Sequence, residues 1–441
     1  MNALTLITPQ DDQAQRRLNA ILGVQLQICV FMGLAGFGAA DGADASSGGR
    51  QLIWGAMAAL SIGYLVMVAL AGREQRCSFG SWPIAALLVY VGASTFWSVA
   101  PAVTAKRTIL LAIMILVCGV GVGRWNRDWQ KDLFSKLLAK PLALLLGLSF
   151  LVTLIAPGRA FTDIGWRGIT NHKNEAGQMA AVAILLLLYG TCHEKLGLKL
   201  RATLLVMVFG GLLMAKSTTG LLSLVFAVAF TEITMLRSSI RRLASWRIPL
   251  AIILLTSSAL LFFAYLLNFL PSAAKMYSEI FNVLGKSETF TGRTAIWDLV
   301  LAESRFHNPW IGGGYGAFWV GRNSLSGYVL MGGGVLYPGQ SHNGYVDIYN
   351  DLGFTGLGIM AILLMVALKN TLRVLSLNHP EGRLHSAILL MCIFLNLGES
   401  TFLRGTGLMG LIFLASLIRM DAIVRQDRRD ARRVKESQLL L

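Results

Sequence analysis

PSAAKMYSEIFNVLGKSETFTGRTAIWDLVLAESRFHNPW, residues 271–310, opens the longest interruption in a chain otherwise built from apolar runs of membrane length. It continues through Gly312-Gly313-Gly314 and Gly332-Gly333-Gly334 and ends at Ser341-His342-Asn343, where the next apolar helix begins. Apolar residues make up 55% of the chain and charged residues 14%, outside the range of a soluble domain. The flanking runs predict an all-α, polytopic integral membrane protein of about twelve transmembrane helices. The long stretch then predicts a cap of short helices, 271–343, between the ninth and tenth of them, within a single transmembrane domain over 1–441.

Working outward, helices are expected near 21–40, 51–71, 83–98, 107–123, 141–156, 176–191, 202–215, 220–236, 248–270, 350–368, 384–398 and 403–419. The first run lacks a basic start and an Ala-x-Ala-like cleavage site, so it is expected to stay as a helix. The net charge of +16 does not mark a nucleic-acid partner, because most cations fall on one side once the N-terminus is placed inside. Arg237, Arg241, Arg242, Arg247 and the run from Arg425 to Arg433 read as topology signals and contacts to anionic headgroups. The cap then lies on the outer side. Cys29, Cys77, Cys118, Cys192 and Cys392 all fall in helices or at the inner edges, which provides no disulfide framework for the cap.

The gap from Gly158 to Gly177, GRAFTDIGWRGITNHKNEAG, carries Arg159, Arg167, His172, Lys173 and Glu175 on the side that should be poor in cations. Arg167 between Trp166 and Gly168 suits a stacked guanidinium facing an anion. The helix that follows would add its N-terminal amides at the same place. Lys216 in the Lys-Ser-Thr-Thr-Gly turn is a weaker echo, and Lys106 and Arg107 sit at the outer end of another helix.

Within the cap, Met276, Ile280, Phe281 and Leu284 suggest a surface helix. Thr291 or Thr294 would cap a second one, with Ile296, Leu299, Val300 and Phe306 inward and Arg293 and Trp297 sharing a face. Arg293 near a helix N-terminus is electrostatically mismatched unless an anion is bound. His342 at a helix start would stay neutral and able to accept a proton. Asp347 and Asp351 would orient the ring, bind a metal or simply solvate the helix end. Glu399 at the outer end of a helix is a candidate by its depth. Tyr345, Tyr349, Trp297 and Trp310 suit either sugar stacking or an interfacial belt.

Trp166-Arg167-Gly168 through His172-Lys173-Asn174-Glu175-Ala176-Gly177, Thr291-Gly292-Arg293-Thr294 with Trp297, and Ser341-His342-Asn343 through Asp351-Leu352-Gly353 together resemble the O-antigen ligase and Wzy-type polymerase superfamily. They look most like bacterial exopolysaccharide polymerases of the ExoQ type. The family's arginine-x-glycine patterns are matched only loosely, by Arg167 to Gly177 and Arg305 to Gly316. The resemblance implies a GT-C-like glycosyltransferase of the bacterial inner membrane, with both termini cytoplasmic. It would take glycan from undecaprenyl pyrophosphate on the periplasmic face and invert the anomeric centre. By position, His342 would be the base, and Arg167 and Arg293 would bind the donor pyrophosphate. Lys173, His172, Lys216, Arg305, Tyr345 and Glu399 would be further substrate contacts.

With a lipid-linked repeat unit as acceptor glycan the enzyme is a polysaccharide polymerase, working with membrane lipid, a chain-length regulator and export machinery. With lipid A core as acceptor it is an O-antigen ligase, and with protein as acceptor an O-oligosaccharyltransferase. A transporter of lipid-linked glycan is a rival of another class, but no internal repeat supports it. No Gly-rich nucleotide loop and no Asp-x-Asp pair stands in an outer loop. No cofactor or metal is expected.

Overall fold

The computed structural model describes residues 48–70, 77–123, 132–191, 196–239, 288–321, 326, 339–404 and 407–439. The described chain is mostly helical: α1 (Gly48–Leu70), α2 (Trp82–Ala93), α3 (Pro101–Val122), α4 (Leu133–Ile155), α5 (Lys173–Tyr189), α6 (Leu198–Met214), α7 (Thr218–Ser239), α8 (Glu288–Ser304), α9 (Gly344–Ser376), α10 (Gly382–Leu395) and α11 (Leu408–Leu439). Five stretches are long and apolar enough to cross a membrane: Leu52–Leu70, Pro101–Val122, Leu133–Ile155, Thr218–Met235 and Gly344–Ser376. Trp82–Phe96 and Gly382–Leu395 are shorter apolar helices. The expected helices near 21–40 and 248–270 and the surface helix carrying Met276 and Phe281 lie outside the described residues, as do Gly332 to Gly334, Cys29 and Cys192. Among the described residues, then, five of the twelve expected spans have membrane length and composition.

The helices begin and end where local chemistry allows. Pro83 and Pro101 sit in the first turns of α2 and α3, where a missing N–H costs nothing. α10 packs against α7, and α9 packs against α2, α10 and α11. One apolar cluster runs through all of them, from Val91 and Leu145 to Leu185, Leu352, Met391 and Ile418, each fully buried. α11 is buried along Leu411–Val424 and packs against α3, α9 and α10.

α9 is not one straight helix. Gly353 takes φ 64° and ψ −164°, a conformation that only glycine adopts without strain, and the helix breaks there. The loop after α8 fills the break. Phe354 and Thr355 amides donate to the carbonyls of Pro309 (2.9 Å) and Trp310 (3.1 Å), while Gly313 and Gly314 amides donate to Asn350 (3.0 Å) and Asp351 (2.8 Å) carbonyls. The loop thus satisfies helical donors and acceptors that the break leaves open. It also explains the glycines: a Cβ on Gly353 would stand 2.4 Å from the Trp310 carbonyl carbon, and one on Gly312 would stand 2.5 Å from that of Asp351. The half of α9 that carries Asn343 at its start is therefore splinted by the loop.

The same splint engages Asp347 and Asp351, weighed from the sequence as ring-orienting, metal-binding or solvating groups, and Arg107 at the outer end of α3. Asp351 Oδ2 accepts from the Gly316 amide at 2.8 Å. Asp347 Oδ1 accepts from Trp319 Nε1 at 2.9 Å and the Ser341 amide at 3.3 Å. Arg107 donates to the carbonyls of Gly316 (2.5 Å) and Trp319 (3.3 Å). These acids hold the loop and the Ser341 backbone; the imidazole of His342 has another partner.

Candidate functional site

Four segments far apart in sequence meet at one end of the bundle: the start of α5, the second turn of α8, the Ser341–Asn343 turn before α9, and the turn after α10. The last of these is built by Asn396. Its Oδ1 accepts from the amides of Thr401 (2.8 Å) and Phe402 (2.9 Å), and its Nδ2 donates to the Cys392 carbonyl (2.8 Å) and to Thr401 Oγ1 (2.7 Å). Glu399 stands in that turn, its side chain 5% exposed.

A buried carboxylate is costly unless its oxygens are paired, and here they are. Glu399 Oε1 accepts from Asn174 Nδ2 at 2.6 Å and from an Arg293 guanidinium nitrogen at 3.0 Å. Oε2 faces His342 Nδ1 at 3.3 Å. Burial pushes the Glu399 carboxyl up, but the His342 hydrogen bond and the electrostatic pull of His342, Arg293 and His172 outweigh it and hold the group below its usual range. It is an anion at neutral pH.

That decides the tautomer. A carboxylate only accepts, so Nδ1 of His342 carries the hydrogen and Nε2 of the neutral ring keeps its lone pair. Gln340 Nε2 lies 3.2 Å from the same Nδ1; the two ends of an amide are interchangeable in shape, and with the hydrogen on Nδ1 the amide turned over would present its oxygen there.

His342 is held from the backbone side as well. Its φ of 53° is a left-handed conformation, which a histidine enters more readily than most side chains but still at a cost. Neighbours fix it: Ser341 Oγ donates to the Asn343 carbonyl (2.8 Å), the Asn343 amide contacts Ser400 Oγ (3.1 Å), and Trp297 Nε1 donates to the Ser341 carbonyl (2.7 Å). The helix cap is Asn343, whose Oδ1 accepts from the amides of Tyr345 and Val346. His342 was expected at a helix start, immediately before the helix, and it stands there, one residue before the cap, with its ring facing Glu399.

The other expected residues divide. Arg293 is at the site, yet α8 starts at Glu288, so Thr291 and Thr294 lie inside the helix rather than capping it. Arg293 therefore stands beyond the first turn, and its partner is Glu399 rather than the helix dipole. Ile296 and Val300 are buried as expected, but Phe306 is 80% exposed because it lies past the helix end. His172 caps α5, its side chain accepting from the Asn174 amide, and contributes to the field on Glu399. Lys173 Nζ donates to the Ile164 carbonyl at 3.2 Å.

Trp166 does not stack on Arg167. It is fully buried against Phe150, ring centroids 5.4 Å apart, and Arg167 Nε instead donates to the Arg159 carbonyl at 3.0 Å beside the short β1 (Phe161–Thr162) and β2 (Gly165–Trp166) hairpin. This hairpin adjoins the turn after α6, where a Cβ on Gly165 would be 2.7 Å from the Ala215 carbonyl oxygen. Lys216 is exposed in that turn and Arg305 is exposed beyond α8; neither is joined to Glu399. Tyr345 Oη donates to the Ile393 carbonyl at 3.0 Å and packs on Phe402, so it is a structural contact. Trp297 is buried, while Trp310 is 64% exposed against Phe354. Asn174, Gln340 and Arg404, whose guanidinium donates to the Gly339 carbonyl at 2.6 Å, were not singled out from sequence. Only Asn174 carried a signal, its place in the HKNEAG stretch. Among the described residues no group of three or more His, Cys, Asp or Glu side chains could hold a metal ion.

The arrangement can therefore take a proton at one imidazole nitrogen, beside a guanidinium and under a fixed carboxylate. No curated protein matches the chain. Residues 203–361 match the family model described as O-Antigen ligase, a span that contains Arg293 and His342, and this match supports the O-antigen ligase and Wzy-type polymerase superfamily.

Proposed function

We propose that the protein is a polysaccharide polymerase that transfers a glycan from undecaprenyl pyrophosphate to the end of a second lipid-linked repeat unit. The family implies a glycosyltransferase-like membrane enzyme acting on lipid-linked glycans. The contact between His342 Nδ1 and Glu399 Oε2 carries the reading. It aims a lone pair, not a hydrogen, away from the carboxylate, as a base for a sugar hydroxyl requires.

In this reading the acceptor oxygen bonds to the anomeric carbon while the bond to the pyrophosphate oxygen breaks and its electron pair leaves with the phosphate. The hydroxyl proton passes to His342 Nε2, and Glu399 stabilises the imidazolium that forms. Attack opposite the leaving group inverts the anomeric centre. Arg293 and Arg167 supply guanidinium groups for the charge that grows on the pyrophosphate. Glu399, bonded to Arg293 through Oε1 and facing His342 through Oε2, links base and anion site. The bundle end that holds His342 is the periplasmic one in this reading, and the membrane is the bacterial inner membrane.

A ligase using lipid A core as acceptor would use the same groups, and the match to the O-Antigen ligase model favours it equally. Complementation of a polymer-deficient host separates the readings: a ladder of chain lengths supports the polymerase, and glycan on lipid A core supports the ligase. His342→Ala, Arg293→Ala and Arg167→Ala proteins made at normal level should accumulate the single-unit lipid donor. Polymer of normal length from all three would overturn the site, and donor retained on the cytoplasmic face would mark a transporter.

A further inference from the structure

The arginines near the chain's end acquire a direction in the structure. α11 runs unbroken from Leu408 to Leu439. From Leu408 to Val424 it rises about 26 Å at ~1.5 Å per residue, close to the ~30 Å of a bilayer's hydrocarbon core, and residues 411–424 of it are buried. Beyond Val424 the helix emerges from the bundle, and residues 430–438 are exposed throughout. On this surface Arg425, Arg428, Arg429, Arg432 and Arg433 fall at i, i+3, i+4, i+7 and i+8, which is a single stripe along one side. Asp427, Asp430 and Val434 lie on the other.

Two anchors fix the level at which the stripe starts. Arg425 Nε donates to Asp421 at 2.5 Å, and its terminal nitrogen donates to the Gly80 carbonyl at 3.1 Å. Arg373, in the last turn of α9, donates twice to Asp427, at 2.6 and 2.9 Å. The stripe thus begins where α9 ends, at the end of the bundle opposite His342. It climbs about 12 Å over eight residues. A headgroup layer is roughly 5–8 Å thick per leaflet, and charge reaches about 8 Å further at physiological salt. Arg428, Arg432 and Arg433 therefore stand within electrostatic reach of headgroup phosphates, while Arg425 at the foot of the stripe is engaged by Asp421 and Gly80.

We propose that this stripe is a binding face for anionic phospholipid headgroups, taken up as a row of phosphates by guanidinium forks. The sequence pointed to headgroup contact for the cluster as a whole. The structure adds the one-sided geometry and the level. A continuous helix rooted in the bundle presents the row at the bilayer surface, which favours lipid over an acidic protein segment as the occupant. The face is independent of the transferase site.

The test is native mass spectrometry of the full chain in detergent, titrated with phosphatidylglycerol and, in parallel, phosphatidylcholine. The triple variant R428A/R432A/R433A should lose about five-fold in phosphatidylglycerol affinity per guanidinium, from the ~1 kcal/mol that one cation near an anionic surface contributes. Phosphatidylcholine occupancy should not change. R428K/R432K/R433K, which keeps charge, should retain most of the binding and serves as the readout if the alanine variant loses thermal stability. D430R added to the alanine variant restores charge off the stripe and should not restore binding. Unchanged phosphatidylglycerol occupancy in the alanine variant, equal loss of both lipids, or recovery by D430R each overturns the proposal. So does an acidic protein that co-purifies with the wild type only, while phosphatidylglycerol binding stays the same.

Discussion

The bundle carries two groups of the same three residue types at its two ends, and they are enclosed differently. At one end Glu399, His342 and Arg293 have side-chain exposures of 5%, 22% and 15%. At the other, Glu381 and His385 are fully buried and Arg419 is 5% exposed. Glu381 Oε1 accepts from the Ser135 amide at 2.6 Å, at the start of α4. His385 Nδ1 lies 2.8 Å from Ser416 Oγ, its ring packs on Phe134, and Arg419 donates to the Val122 carbonyl at 3.4 Å, at the end of α3. This group ties α3, α4, α10 and α11 together and closes over itself.

In the open group the carboxylate faces Nδ1 of a histidine that stays 22% exposed. In the sealed group the carboxylate serves a helix N-terminus and sits 4.0 Å from His385 Nε2, beyond hydrogen-bond reach. Residue type alone does not separate a site from a knot; exposure and the partner of each oxygen do.

The comparison breaks first on activity. His342→Ala should lower transfer by about 10²–10⁴-fold, the usual weight of a positioned base, with little change in thermal midpoint, whereas His385→Ala should leave turnover per folded molecule near wild type and lower the midpoint. Single-turnover assays on lipid-linked donor, paired with thermal melts, measure both. Equal loss of turnover from the two variants would dissolve the distinction.

The isosteric pair Glu399→Gln and Glu381→Gln sharpens it. Glu399→Gln leaves His342 without a fixed anion, so the rate should fall about ten- to a hundred-fold, the usual cost of losing such an orienting partner. The pH profile of the rate should change shape as well. Glu381→Gln should act on stability alone, by roughly 1–3 kcal/mol for disturbed buried polar groups.

The two carboxyls should also give opposite pH dependence. Glu399 is held below its usual range, so its contribution to stability is present above the unfolded carboxyl's pKa, about 4.3, and is lost as pH falls through the lower folded value. Glu381 is pushed up to about 7, chiefly by burial, against the pull of Arg419 and the Ser135 and Phe134 amides. A raised carboxyl favours folding below about pH 4.3 and loses that advantage as pH rises toward 7. Thermal midpoints should therefore decline from about pH 5 to 7 in the wild type and flatten in Glu381→Gln. A wild-type slope that survives in that variant would assign it to another group.

Gly353→Ala should act between the two ends. The positive φ and the 2.4 Å approach to the Trp310 carbonyl should cost about 1–3 kcal/mol and loosen the splint that fixes the start of α9, lowering turnover without touching either triad. Trp310→Ala should have the smallest effect. It is an exposed ring beside Phe354, and its loss should raise the KM for donor severalfold if it stacks on glycan and leave it unchanged if it only belts the interface.

Composition and apolar runs determined that the chain spans a membrane, because burial of that much apolar surface has no other outlet. Cations on the side that should lack them marked the 158–177 gap with Arg167, places at helix starts marked Arg293 and His342 as candidates, and the O-antigen ligase resemblance was legible in the same segments. The position of Arg425 to Arg433 after the last apolar run was legible too, and helical periodicity turns it into a stripe.

Only tertiary structure decided the rest. Glu399 meets Asn174 across 225 residues, Arg293 across 106 and His342 across 57, separations that no local pattern encodes. It took the folded chain to show that Trp166 is buried in packing, that Asp347 and Asp351 hold a loop, and that His342 precedes the helix cap. Glu381 and His385 carried no signal at all, since a Glu and a His four residues apart at the edge of an apolar helix read the same whether sealed or open. The physical reason is that apolar runs and charge bias act through the chain's own neighbourhood and the bilayer, whereas a buried carboxylate acquires its role only from the donors that packing brings to it.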